Sequence, residues 1–151
     1  MSTLKDTLRS DLTAAIRARE QVVAATLRMA LAALTTEEVA GPTPRRLGDD
    51  DVRRVLSTEA KKRREAAAAY EHAGRTELAA RERDELAVLQ RYLPARLTDE
   101  QLGALVAQAI ADTGATAPGH LGQVMRTLQP QVAGRADGAT VAAAVRAALT
   151  G

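Results

Sequence analysis

The sequence predicts an all-α protein: an N-terminal helical bundle of four helices over residues 1–94, followed by a small three-helix tail domain over residues 95–151. Three observations carry this prediction. Aromatic residues make up 1% of the chain, only Tyr70 and Tyr92, while alanine, the best helix former, is spread throughout. β-branched and aromatic residues, which build strands, are too sparse for a sheet. Apolar residues recur at intervals of three and four, and glycine and proline punctuate the chain between those runs.

The elements follow in order. Leu4, Leu8, Leu12 and Ile16 behind Thr3-x-x-Asp6, a capping-box signal, predict a first helix over 3–18. Val23, Leu27, Ala30, Leu31 and Leu34 give the second, its antiparallel neighbour because the connection is short. Gly41, Pro42, Pro44 and Gly48 mark a loop. Asp49, Asp50 and Asp51 then read as an N-cap and negative charge at the positive end of a third helix reaching about His72; a Mg²⁺ site is the alternative reading of three acids. Val52, Leu56, Glu59, Arg63, Ala67 and Tyr70 share its apolar face, which places Glu59 and Arg63 as a structural ion pair within that stripe. Gly74 breaks the chain, and Leu78, Leu86, Leu89 and Leu93 define a fourth helix that Pro94 ends.

Thr98-x-x-Gln101 restarts a capped helix with Leu102, Leu105, Val106, Ala109 and Ile110, closed by Gly114. A sixth helix buries Leu121, Val124, Met125 and Leu128. The loop from Gly134 to Gly138 leads to a seventh, starting at Asp137 and burying Val141, Val145 and Leu149.

Composition narrows the functional classes. The length allows a real core but no separate cofactor domain. Without cysteine there is neither a disulfide framework nor a thiolate metal site. No apolar run is long enough to span a bilayer, so a soluble cytoplasmic protein is the default. The net charge of +2 does not mark a nucleic-acid binder. The front is densely charged, whereas the tail has Arg96, Arg126, Arg135 and Arg146 against Asp99, Glu100, Asp112 and Asp137.

Catalysis finds little support. His72 and His120 are isolated from any metal-ligand spacing, and no nucleophile elbow, phosphate-binding loop or amidase-like Ser run is present. No catalytic residue, metal or cofactor is assigned. For binding, Gly119, Gly122, Gln123 and Arg126 point away from the buried side of the sixth helix, where two glycines let a partner approach and Gln123 and Arg126 offer donors. A helix-helix contact at Gly122 is the competing reading. The start of the sixth helix, with Thr116, Pro118, Gly119 and His120 and no acid from Thr113 to Leu121, is the better anion site; Asp137 is expected to cap its own helix. Arg135 is the loop residue expected to be free for a partner. Arg54, Lys61 and Arg64 form a secondary outward ridge, read chiefly as solvated.

The segments Arg75-x-x-Leu78-Ala79-x-x-Glu82-x-x-Glu85-Leu86-x-x-Leu89-x-x-Tyr92-Leu93-Pro94, Leu121-Gly122-x-Val124-Met125 and Gly134-Arg135-Ala136-Asp137-Gly138 resemble the YqeY-type proteins of the GatB/YqeY family. Leu27-Arg28 and Lys61-x-Arg63-x-Glu65 extend the resemblance over nearly the whole chain. It implies a helical bundle joined to a helical tail similar to that of the B subunit of the tRNA-dependent amidotransferase, where the tail helps position tRNA and the chemistry sits elsewhere. It also implies an association with carbon-nitrogen ligases using glutamine as amido-N-donor, and, for fused segments, tighter tRNA binding by a glutaminyl-tRNA synthetase. The implied partners are tRNA, or a synthetase or amidotransferase for which this chain is a protein-interaction adaptor. Where the family commonly has Lys after the glycine of the sixth helix, this chain has Gln123. If all four tail arginines neutralised phosphates, the log-log salt slope for tail binding would be no steeper than about −4.

Overall fold

The computed structural model describes residues 3–150, and within them the chain is all-helical with no strand. It divides into two compact units, Met1–Leu93 and Pro94–Gly151. The first contains α1 (Leu4–Arg17), α2 (Gln21–Glu38), α3 (Asp49–His72) and α4 (Thr76–Gln90); the second contains α5 (Asp99–Thr113), a 3₁₀ turn (Pro118–His120), α6 (Leu121–Val132) and α7 (Gly138–Thr150). No described helix is long and apolar enough to cross a membrane.

Local sequence explains most boundaries. Thr3 caps α1 through a reciprocal box: its hydroxyl accepts the Asp6 N–H at 3.1 Å, and its own N–H donates to the Asp6 carboxylate at 3.2 Å. Those bonds hold the Asp6 carboxyl below its ordinary range. Thr98 and Gln101 repeat the device on α5, which ends at Gly114 in the left-handed region, φ 68°.

Three expectations change. The three acids at the start of α3 do not include its N-cap, which is Gly48. Asp49 instead accepts the Leu4 N–H at 2.9 Å and so caps α1 from across the bundle. Asp50 pairs with Arg53 at 3.1 Å, and Asp51 with Arg54 at 3.0 Å and Arg45 at 3.4 Å. Second, α4 stops at Gln90, before Leu93: Arg91, Tyr92 and Leu93 bond three residues back, a 3₁₀-type tightening, and Pro94 disfavours helical geometry at the residue before it. Third, Ile16 is 49% exposed. A four-residue repeat drifts by about 40° per step, so the fourth member, Ile16, has rotated off the face that Leu4 begins; the buried line runs through Leu8 and Ala15.

The core of the first unit is Leu8, Leu27, Ala30, Leu34, Leu47, Val52, Leu56, Ala60, Val88 and Leu89. Within this apolar packing, the Arg63 guanidinium is held where α2, α3 and α4 meet. Its Nη1 donates to the Glu59 carboxylate and to the Glu59 carbonyl, both at 3.1 Å; its Nε faces Glu85 Oε2 at 3.6 Å, and its Nη2 lies 3.9 Å from the Met29 sulfur. Burial alone would raise the Glu59 carboxyl, but hydrogen bonds from Lys62 and Arg63, with their charge, outweigh it and leave the group lowered.

On the far side of the first unit, the Tyr92 hydroxyl donates to Asp11 Oδ2 at 2.6 Å. Burial, that bond and the Asp11 charge all raise the phenol. The turn after α4 is thereby pinned to α1.

Replacing Arg63 with Ala leaves Glu59 and Glu85 facing each other, part-buried, without their shared cation, and is expected to destabilise the first unit by about 3–5 kcal/mol in urea denaturation. Exchanging Arg63, Glu59 and Glu85 together for Met, Gln and Gln is expected to cost far less. Because the Glu59 carboxyl is lowered on folding, its contribution is present above its ordinary value of 4.5 and is lost as pH falls through the folded value. Melting curves below about pH 4.5 should show that loss, and Glu59→Gln should remove it.

Candidate functional site

The second unit is built on Leu102, Val106, Ala109, Ala115, Val124, Leu128, Val132, Val141 and Val145. Helix α6 turns Val124, Leu128 and Val132 inward, with Leu121 and Met125 half-buried. Its opposite side leaves Gly122, Gln123 and Arg126 exposed, and Gly119 in the preceding turn is exposed as well. A Cβ built at Gly119 or Gly122 meets nothing within 4 Å. Gly122 is therefore not a helix-helix contact, and no packing within the described chain requires a glycine there.

The start of α6 differs from the sequence reading. His120 is half-buried, and its Nδ1 accepts the N–H groups of Thr116 at 3.1 Å and Ala117 at 3.3 Å. The imidazole acts as a cap across the 3₁₀ turn. Two amides just ahead of the 3₁₀ turn are thus occupied by a side chain, so Thr116 and Ala117 are not open donors for an anion.

Arg135 is likewise engaged. Its Nε donates to the Ala95 carbonyl at 3.1 Å, and its own carbonyl accepts the Leu97 N–H at 2.9 Å. The side chain and backbone of one residue thus clasp the segment entering α5. The bend beside it needs Gly134, which adopts φ 74°, where a Cβ would be strained. Asp137 accepts the Val141 N–H through its carbonyl at 3.0 Å, and its Oδ1 pairs with Arg96 at 3.6 Å. Of the tail arginines, Arg126 and Arg146 are exposed and enter no ion pair among the described residues.

The secondary ridge of α3 is similarly committed. Arg54 pairs with Asp51 at 3.0 Å, Lys61 with Glu65 at 4.0 Å, and Arg64 is half-buried. Glu59 and Arg63 lie 3.1 Å apart at their polar atoms, but the pair is really a triad. Its third member, Glu85, is 7% exposed. Glu85 shares the buried side of α4 with Ala79, Val88 and Leu89, and in sequence it stands four residues before Leu89, the same spacing that joins Glu59 to Arg63.

Among the described residues no group of three or more His, Asp or Glu converges as a metal site. What the tail offers is an open helix face with two neutral glycines, an amide and a guanidinium. It suits hydrogen bonding to a surface that approaches closely. The family model of the YqeY-like proteins matches residues 5–149. The chain belongs to the YqeY-like family. Among curated proteins no match is found. In this YqeY-like protein the match runs through both compact units, including the capped start of α6 and the clasp at Arg135.

Removal of the imidazole in His120→Ala strands the Thr116 and Ala117 amides and should cost about 1 kcal/mol of tail stability, the usual worth of a cap. Asn at position 120 keeps a carbonyl acceptor and should restore most of it. Equal melting temperatures for the Ala and wild-type proteins would show that the two hydrogen bonds carry no weight.

Proposed function

We propose that this protein is a non-catalytic, cytoplasmic accessory of translation that binds tRNA through the outward face of α6. The observation that carries the reading is the pair of solvent-open glycines, Gly119 and Gly122, beside Gln123 and Arg126. A glycine inside a helix costs about 0.5–1 kcal/mol relative to alanine. At Gly122 no neighbour in the fold requires it. A ligand backbone lying against the helix gives that cost a use, with Gln123 and Arg126 as donors to phosphate or sugar oxygens.

The stretch between Asp112 and Asp137 contains no acid, so nothing on it repels an approaching phosphate. Resemblance to the amidotransferase B-subunit tail supports tRNA as the ligand, and none of the residues of this face supplies a nucleophile for an amidation step. The second reading is an adaptor that docks onto a synthetase or amidotransferase without touching RNA. The low charge of the face favours it: Gln123 is neutral, and Arg126 is the single cation in that group.

The engaged arginines sharpen the test. With Arg96 on Asp137 and the Arg135 Nε turned to Ala95, Arg126 and Arg146 are the exposed tail cations, so their joint share of the log-log salt slope should be about −1.4 to −1.8. Filter binding of total tRNA at several salt concentrations measures this share as the change in slope produced by Arg126→Gln with Arg146→Gln. Gly122→Ala should leave the tail at least as stable, the cost of glycine in the first turn of α6 being smaller than the roughly 0.5–1 kcal/mol of a helix interior, while weakening tRNA binding. Unchanged tRNA affinity in that variant would remove the close-approach role, and a co-purifying protein with no tRNA retention would favour the adaptor.

A further inference from the structure

The lysines and arginines of α3 and α4 are largely consumed in ion pairs: Arg53, Arg54, Lys61, Lys62, Arg81 and Arg83 each face a carboxylate. The α1–α2 hairpin is different. Arg9, Arg17, Arg19 and Arg28 are all exposed, and none enters an ion pair among the described residues. From residue 7 to residue 36 the acids are Asp11 and Glu20 alone. Asp11 is turned inward, where it accepts the Tyr92 hydroxyl at 2.6 Å. Asp6, one turn before Arg9, is hydrogen-bonded within the Thr3 cap and feels the Arg9 charge without closing an ion pair with it.

Helical geometry puts these arginines on the solvent side of the hairpin. Lys5 reaches across to Glu38 of α2, and Arg9 stands one turn further along, rotated about 40° outward from Lys5. On α2 the α3-facing side is marked by Met29, in contact with Arg63. Arg28, one residue earlier, is rotated about 100° from Met29, off the α3-facing side, and is exposed. Arg9 and Arg17 are separated by about 12 Å along the helix axis.

Arg19 is the telling member. It adopts φ 60°, the left-handed geometry that glycine occupies without strain, at the point where the Glu20 N–H bonds back to the Ala15 carbonyl and closes α1. The chain carries a guanidinium at a position where its backbone would be more relaxed with glycine.

We propose that the outer side of the α1–α2 hairpin is a second RNA-binding surface, on which Arg9, Arg17, Arg19 and Arg28 contact the phosphate backbone without reading sequence. Charge complementarity selects this occupant. Planar guanidinium groups match phosphate oxygens bidentately, and arginines left without carboxylates retain their full charge for them. An acidic protein partner would call for an apolar centre inside the charged rim, whereas of the hairpin's exposed apolar side chains, Ile16, Val22 and Met29, the last two lie on the α3-facing side of α2, about 100° away from Arg28. The proposal deepens the tRNA reading by adding a phosphate-contacting surface on the first unit, and it rests on RNA being the ligand of this chain.

The test is salt-dependent filter binding of total tRNA and of a mixed-sequence RNA duplex to the full chain. Four proteins are compared: wild type; a hairpin variant carrying Arg9→Gln, Arg17→Gln, Arg19→Asn and Arg28→Gln; a ridge control carrying Arg54→Gln and Lys61→Gln; and a tail variant carrying Arg126→Gln and Arg146→Gln. Circular dichroism checks that each is folded, and single Arg→Gln variants replace the hairpin variant if it is not, each expected to lower the slope by about 0.7–0.9. The expected result is a slope shallower by about 3 in the hairpin variant and unchanged in the ridge control, equally for both RNAs. A slope unaltered by the hairpin substitutions, or a loss confined to the tail variant, overturns the proposal and leaves the tail reading intact. Loss in the hairpin variant with none in the tail variant upholds the proposal and removes the tail face. Absence of RNA binding by the wild-type protein, with or without capture of an acidic protein, overturns both.

Discussion

Where α2, α3 and α4 meet, one buried guanidinium faces two carboxylates, and the first unit is arranged around that balance. Arg63, at 5% exposure, and Glu85, at 7%, are the charged residues buried among the described ones. Their desolvation is tolerable because Glu59 adds a hydrogen-bonded partner, and because Lys62 and Arg81, both largely exposed, lend charge to the two glutamates from the solvent side. Three helices must hold their relative rotation for these contacts to coexist. Aliphatic side chains would fill the same volume but would tolerate sliding; the ion triad fixes the register.

The second unit has no such anchor, since its core is wholly apolar. Its definition comes from hydrogen bonds at the ends of its helices: the Thr98–Gln101 box, the His120 imidazole over the 3₁₀ turn, and Arg135 holding the segment before α5. A core of Leu, Val and Ala without aromatic rings buries less area per residue, so caps and clasps worth about 1 kcal/mol each take a larger share of a small domain's stability. The same economy accounts for the loss of expected binding donors. His120 and Arg135, which in sequence look available to a ligand, are used to complete the fold.

Surface charge is sorted in the same manner. Cations on α3 and α4 are interleaved with acids at three- and four-residue spacing and neutralise locally, as Arg53 does with Asp50 and Lys61 with Glu65. Among the cations of α1 and α2, Arg9 has Asp6 three residues before it and Arg17 has Glu20 three residues after it, yet neither pair closes to ion-pair distance, and Asp6 and Asp11 are drawn into hydrogen bonds elsewhere. Net charge is therefore a poor guide to this chain. A value of +2 conceals one pair of helices laced with ion pairs and one hairpin whose four exposed arginines enter none among the described residues.

The sequence by itself determined the helical class, the capped starts of α1 and α5, the left-handed stop at Gly114 and the inward side of α6, because each depends on neighbours within about four residues. It placed Glu59 and Arg63 within one stripe, and the same spacing rule applied to α4 would have added Glu85. Tertiary structure alone decided which polar groups are spent. The Leu4 amide finds Asp49, Tyr92 finds Asp11 and Arg135 finds Ala95 across 45, 81 and 40 residues respectively. No periodicity encodes those distances. A polar side chain bonds whatever the packing of apolar faces brings within about 3 Å, and so the open face of α6 and the unpaired arginines of the hairpin emerge only once the other donors have been assigned.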